Sequence, residues 1–404
     1  MQEIFLQQFW NLKILEGKKL RTTDGKKLVI RNSGQWNHYG GPDFLFAHIT
    51  LDGLDWFGHI EIHQKTTDWL KHHHDSDPNY GLVVLHVVQN HDQQMVNGIG
   101  KQIATLQLEG LSEFALYCRR EKKQPTLSGL FCGEHIAFNE DVMRKNLLHA
   151  ARLRIEQKAS YALRLYHECR SSWMDVIYLL IARAMGQQAN ADTMECMAKS
   201  APYRIWFRLH KDFDALQSLF MGLAGFDTNG QEFEFLVRKY NVTPLQDFQW
   251  NVGKVRPSAL PFNRVRQLVA LLHRYGDLLN ELHIPDIRNY HFLNSELIHN
   301  DENFSLSPAI SEGIIINAIA PYVYARAEAE GDSTRMTGAM HLLSQIRPEN
   351  NRVTKYWLRC GYVAESAAET QGMLYLYRNL CSAAKCEQCR FNQNVHEHTK
   401  ESLR

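Results

Sequence analysis

At 404 residues the chain is too long for one compact core, and 44% apolar with 22% charged residues excludes a disordered polypeptide. Forty-five Lys and Arg against forty-four Asp and Glu exclude a globally basic nucleic-acid binder, though not a local basic face. Twenty histidines make the charge sensitive to pH between roughly 5 and 7.5.

The first 135 residues read as a helix followed by strands. Glu3 to Leu15 spaces Ile4, Phe5, Phe9 and Leu12 as a helix does. Lys26 to Ile30 is a predicted strand after the Asp24-Gly25 turn, and Asp43 to Leu51 is a second, ending at Asp52-Gly53. Trp56 to His63 (WFGHIEIH) alternates apolar and polar residues with period two, as a half-buried strand does. Thr67 to His74 is a predicted short helix with Thr67 as N-cap, and Leu82 to Val88 (LVVLHVV) suits a central strand buried on both faces. From residue 136 the pattern turns helical to the end, with a subdivision near 285. Asp141–Glu168, Trp173–Met185, Pro202–Leu209, Asp214–Gly225, Asn263–Leu282 and Tyr356–Leu380 carry three-to-four-residue apolar spacing. Between 141 and 272, eighteen Lys plus Arg face twelve Asp plus Glu, a surplus of six and the only basic region of the chain. The expectation is an α/β core of helix, three strands, helix, strand, then a large all-α region.

The N-terminus lacks the basic segment of a secretory signal, and the most apolar run, Val176 to Ala182, is closed by Asp175 and Arg183. A cytoplasmic protein without a membrane span is expected. There is no Walker loop, Rossmann fingerprint or G-x-S-x-G elbow, so no nucleotide cofactor is expected.

The densest chemistry lies between Asn37 and Tyr80. If the second and third strands are antiparallel neighbours, Asp43 and Glu61 come side by side, and two carboxylates there call for a divalent cation such as Mg²⁺ or Mn²⁺. His63 and Lys65 repeat the strand phase of Glu61 and point the same way. His59, Glu61 and His63 are three ionisable groups on one strand face, unfavourable in a core without partners. His72 and His74, with Asp68, suit either a separate transition-metal site or a solvated helix end. His38 is an accessory candidate beside Asp43. His86 inside LVVLHVV is either a hydrogen-bonded core histidine or a neighbour of the acids, and Trp69 reads as a core anchor.

Pro42-Asp43 followed by Glu61-Ile62-His63, in that order of elements, resembles the PD-(D/E)XK nuclease superfamily over roughly residues 1 to 95, with a restriction-endonuclease-like core. His63 stands where that family usually has lysine. The resemblance implies metal-assisted hydrolysis of DNA, with RNA as the second substrate. Asp43 and Glu61 would hold the ion, His63 would position or deprotonate a water, Lys65 would supply charge and Glu3, or alternatively Glu16, would be a further acid. The basic helical region would then bind nucleic acid. The whole chain also looks like an uncharacterised bacterial family, which implies no activity. Two rivals are a catalytically silent scaffold or nucleic-acid-binding module, favoured by His63, and a His-rich metallohydrolase centred on His72 and His74. Cys381, Cys386 and Cys389 are spaced for a zinc or iron–sulfur site lacking a fourth ligand, for which Cys360, Cys132, His396 and His398 are candidates; unligated thiols are the alternative.

Overall fold

The computed structural model describes residues 3–37, 40–96, 102–115, 140–244, 250–253, 257–281, 294, 306–381 and 388–391. These fall into two compact units, one drawn from Met1–His135 with Tyr377–Arg404 and the other from Ile136–Leu376. Residues 377 onward thus group with the N-terminal unit, where the sequence kept them with the helices.

The first unit opens with helix α1 (Glu3–Asn11), which buries Leu6, Phe9 and Trp10. It stops four residues before Leu15 because Lys13 takes a left-handed φ of 58°. Strands β1 (Lys19–Arg21), β2 (Lys27–Asn32), β3 (Gln35–Trp36), β4 (Phe44–Leu51) and β5 (Leu54–Lys65) follow. After α2 (Asp68–Lys71) and a single turn at Pro78–Tyr80 come β6 (Val83–Asn90) and β7 (Thr105–Gln107). The described strands make one sheet in the order β1-β2-β4-β5-β6-β7, with β3 paired to β4. β2, β4 and β5 are antiparallel, whereas β6 runs parallel to β5 and β7 parallel to β6. The apolar residues of α1 pack on Leu28, Ile30, Ile49, Ile60, Ile62, Leu85 and Val87. Trp69, Tyr80, Val83, Met95 and Ile103 form a separate small cluster, each such burial stabilising by about 1.5–3 kcal/mol.

Thr67 does not act as a side-chain cap. Its hydroxyl donates to Asp92 Oδ2 at 2.7 Å, and Asp92 Oδ1 accepts from the Thr66 hydroxyl at 2.7 Å and the Thr67 N–H at 3.0 Å. One carboxylate therefore ties the end of β5 to the end of β6. The helix is short because His73, at φ 59°, breaks it after a single turn.

The second unit is helical: α3 (Glu140–Glu168), α4 (Trp173–Ser200), α5 (Tyr203–Leu209), α6 (Phe213–Leu223), α7 (Gln231–Tyr240) and α8 (Pro261–Glu281). Then come α9 (Pro308–Ile314), a π-turn at Ile315–Ile319, α10 (Ala320–Glu330), α11 (Ser333–Gln345), α12 (Arg352–Arg359) and α13 (Ala367–Asn379). The predicted helix over Tyr356–Leu380 is instead two helices, since Gly361 takes φ 89° directly after the cap residue Cys360 and ends the first. The helix predicted to end at Met185 resumes beyond Gln187 and Asn190, whose dihedrals are non-helical. Several cations of the 141–272 stretch are paired within this unit. Arg144 pairs with Glu365 and Glu369, Arg183 with Asp192 and Glu195, and Lys199 with Glu168 and Glu195. Lys158 and Arg154 both donate to Gln371.

A sheet unit followed by a mostly helical region is an α+β architecture. No described helix is long and apolar enough to cross a membrane.

Candidate functional site

The site forms where the sheet changes from antiparallel to parallel pairing. The β4–β5 ladder slips between Phe44 and Ala47, and side chains fill the gap. The Asp43 N–H donates to Glu61 Oε2 at 2.9 Å, and the Ile62 N–H donates to Asp43 Oδ2 at 3.0 Å. This reciprocal latch brings the two acids together. From α1, Gln7 Nε2 donates to Asp43 Oδ1 at 2.7 Å and to Glu3 Oε1 at 3.4 Å. Gln7, one helical turn after Glu3, was not singled out in the sequence. Its only trace there is that i,i+4 spacing.

Ile60 and Ile62 of β5 enter the sheet core, so Glu61 and His63 face the other way. Both are buried, Glu61 4% and His63 0% exposed. His63 Nδ1 lies 2.9 Å from Nε2 of His86, which sits on β6 opposite Glu61 in the parallel register. His63 Nε2 lies 3.0 Å from His72 Nδ1 and 3.5 Å from Glu61 Oε1, and Glu61 Oε1 lies 3.2 Å from His74 Nε2. The break at His73 is what turns both His72 and His74 inward. Tyr80, also missed in the sequence, stacks on His74 at 3.7 Å between centroids, and Trp69 packs against His74 and His86.

Burial dominates the electrostatics. It pushes the Asp43 carboxyl well above the usual carboxylate range, reinforced by the charges of Glu61 and Glu3. It pulls His63 down to about 2, with the neighbouring imidazoles His86, His74 and His72 assisting. His86 is likewise lowered to about 3 and His74 to about 4 by burial. The Tyr80 hydroxyl is raised by burial and by the Glu61 and Asp43 charges, so it keeps its proton. The imidazoles are therefore neutral and offer lone pairs. His63 in particular supplies no positive charge in place of a lysine.

Among the described residues, His63, His72 and His74 can each offer a ligand atom within 4.8 Å of the others. A tetrahedral ion with bonds of 2.0–2.1 Å has ligand–ligand edges of about 3.3 Å. The His63–His72 contact of 3.0 Å is close to such an edge, and Glu61 Oε1 stands beside the imidazoles at 3.5 Å from His63 Nε2 and 3.2 Å from His74 Nε2. The donor set, three imidazoles and a carboxylate, suits zinc, iron, cobalt or manganese better than magnesium. His74 Nδ1 and His86 Nδ1 are buried without a hydrogen-bond partner, a cost that marks the cluster as more than packing. His72 is exposed and leaves one side open to solvent.

Other candidates lie apart. Lys65 keeps the strand phase but is exposed at the end of β5, beyond the buried cluster. Asp68 is engaged locally, accepting from the Lys65 N–H at 2.9 Å and from Lys71 Nζ at 2.5 Å. His59 shares the strand face but its Nδ1 accepts from the Phe46 N–H at 3.4 Å instead of joining the cluster. Trp69 is fully buried, as a core anchor is. His38, Cys386, Cys132, His396 and His398 lie outside the described residues. Cys381, Cys389 and Cys360 are not disulfide-bonded.

A family model described as a protein of unknown function, DUF2851, matches residues 3–352. The chain belongs to that family. The match takes in the acid–imidazole cluster and most of the helical unit of this DUF2851 chain. No curated protein matches it, and no solved structure does.

Proposed function

We propose that the N-terminal unit is a metal-dependent phosphodiesterase, with His63, His72, His74 and Glu61 holding one borderline transition-metal ion. The observation that carries this reading is the convergence of ligand atoms of His63, His72 and His74 within 4.8 Å, with Glu61 Oε1 at 3.5 Å from His63 Nε2 and 3.2 Å from His74 Nε2, and with His63 and His74 held neutral by burial. Bound there, the ion would acidify a water and polarise a phosphoryl oxygen. The chain's own groups do the rest. His86, against His63 Nδ1, fixes the ring so that Nε2 faces the site. Glu61 is aimed by the Asp43 N–H on its other oxygen. Asp43, with its raised pKa, keeps a proton at higher pH than an ordinary carboxyl and can pass it to a leaving oxygen.

Phosphodiesters are favoured as the substrate because a helix, antiparallel strands, a short helix and a parallel strand follow one another as the nuclease resemblance implies, although five strands, including the short β1 and β3, stand where three were expected and β7 extends the sheet. An oxygen-only Mg²⁺ site on Asp43 and Glu61 is less favoured. Both Asp43 oxygens already accept hydrogen bonds, and Glu61 Oε1 faces imidazole.

The test strips the protein of metal, reloads it separately with Zn²⁺, Mn²⁺, Co²⁺ or Mg²⁺, and follows bis(p-nitrophenyl) phosphate and labelled oligonucleotides. Cleavage should appear with the transition metals and vanish in Glu61→Gln and His74→Ala. Absence of cleavage with every metal would leave a silent metal-binding scaffold, and activity with Mg²⁺ alone would return the ion to the two acids.

A further inference from the structure

The β5 face that carries Glu61 and His63 continues outward past α2 as an open surface. Residues paired across antiparallel strands share a face. Lys19 pairs with Val29, Val29 with Thr50 and Thr50 with Asp55; Arg21 pairs with Lys27; and Asn32 pairs with His48, and His48 with Phe57. Arg31 joins the same face by donating to the Thr50 hydroxyl at 2.9 Å. Lys19, Arg21, Lys27 and Arg31 are all exposed. Within the strands the only acid among these paired positions is Asp55, which is held by His48 and Thr50; Asp24 and Asp52 lie in the hairpin turns. Beside the cations stand two phenylalanines out in water, Phe46 64% and Phe57 72% exposed. Phe57 stacks on His48 at 4.1 Å, and Phe46 packs edge-on to His59. Phe46 is held outward at φ 58°, a left-handed conformation that costs a bulky residue energy. Phe57 precedes Glu61 by four residues on the same face, about 13 Å along the strand.

Exposed rings among exposed cations, leading along one strand to an acid–imidazole cluster, are the elements of a stacking platform on a phosphate track. We infer that this sheet face binds single-stranded nucleic acid, bases on Phe46 and Phe57 and phosphates on Lys19, Lys27 and Arg31, and leads the strand to the Glu61 cluster. The inference deepens the phosphodiesterase reading and rests on it only for the destination of the strand. Binding itself needs no metal.

The experiment is fluorescence anisotropy with the full chain in chelator, so that hydrolysis plays no part. The probes are a labelled single-stranded DNA 12-mer, the same sequence as RNA, its duplex, and polyglutamate as a polyanion without bases. Single strands should bind, with duplex and polyglutamate much weaker. Phe46→Ala/Phe57→Ala should weaken single-strand binding roughly tenfold or more at unchanged salt dependence. Lys27→Ala/Arg31→Ala should shallow the salt slope by about 1.4, from two lost phosphate contacts. These side chains are exposed, and an unchanged melting temperature verifies folding. Equal binding of polyglutamate, duplex binding as tight as single-strand binding, or an unaffected phenylalanine double variant would each overturn the inference. A platform that binds beside an inactive centre would sink the enzyme reading alone.

Discussion

Acidification from pH 6.5 to 5 should weaken the N-terminal unit far earlier than carboxylate titration would. His63, His86 and His74 are held neutral in the fold, lowered to about 2, about 3 and about 4, but titrate near 6.5 once unfolded. A group depressed in the folded state contributes stability that is complete above its unfolded pKa and is lost as pH falls. Each therefore costs about 1.4 kcal/mol per pH unit below 6.5, or about 6 kcal/mol for the three at pH 5. Asp43 works in the opposite sense. Its raised pKa lets the folded state keep a proton that the unfolded state has released, which returns up to about 2 kcal/mol over the same window. The net loss is about 4–6 kcal/mol, a large share of a typical 5–15 kcal/mol. Urea titration at each pH measures it. Hydrogen exchange of the β5 and β6 amides follows this unit apart from the helical one, since two units need not unfold together. In His86→Leu the slope should flatten by about 1.4 kcal/mol per pH unit. Stability that stays level or rises between pH 6.5 and 5 would refute the assignment of neutral buried imidazoles.

Zinc or cobalt at a hundredfold excess over its dissociation constant should stabilise the first unit by about 2.7 kcal/mol, seen as a thermal shift that His74→Ala abolishes. In Gly58→Ala the new Cβ would lie 2.3 Å from the Leu82 carbonyl oxygen and 2.5 Å from Val84 Cγ1, so β5 must move away from the start of β6. A loss of roughly 1–3 kcal/mol on urea unfolding is expected, together with weaker metal binding. Asn351 caps α12 through the N–H groups of Val353 and Thr354 in a full capping box. Asn351→Ala should cost about 1 kcal/mol in the helical unit and leave metal affinity unchanged, as calorimetry and metal titration would show.

Much of this was legible in the sequence because strand chemistry is local. The period-two run around Ile60 and Ile62 announces a core face and so throws Glu61 and His63 to the other side. The Asp52-Gly53 turn makes β4 and β5 neighbours, and with them Asp43 and Glu61. What escaped depends on backbone detail or long-range register. His72 and His74 look like a solvated helix end until the left-handed His73 turns both inward. Gln7 and Tyr80 have no motif, only a place in the fold. The basic face is invisible in a charge count, because its cations come from β1 and β2 and its rings from β4 and β5. Some of the cations that a count does find in the helical stretch are paired within their own unit.

Titration of metal-free protein with Co²⁺ is the most direct measurement, since the ion's visible absorption reports coordination number and nitrogen ligation without any assumption about substrate. One equivalent should bind with a four-coordinate spectrum, be lost in His72→Ala and His74→Ala, and survive Cys389→Ala. No bound ion, or one that persists when His74 and Glu61 are both replaced, would contradict the shared imidazole–carboxylate centre.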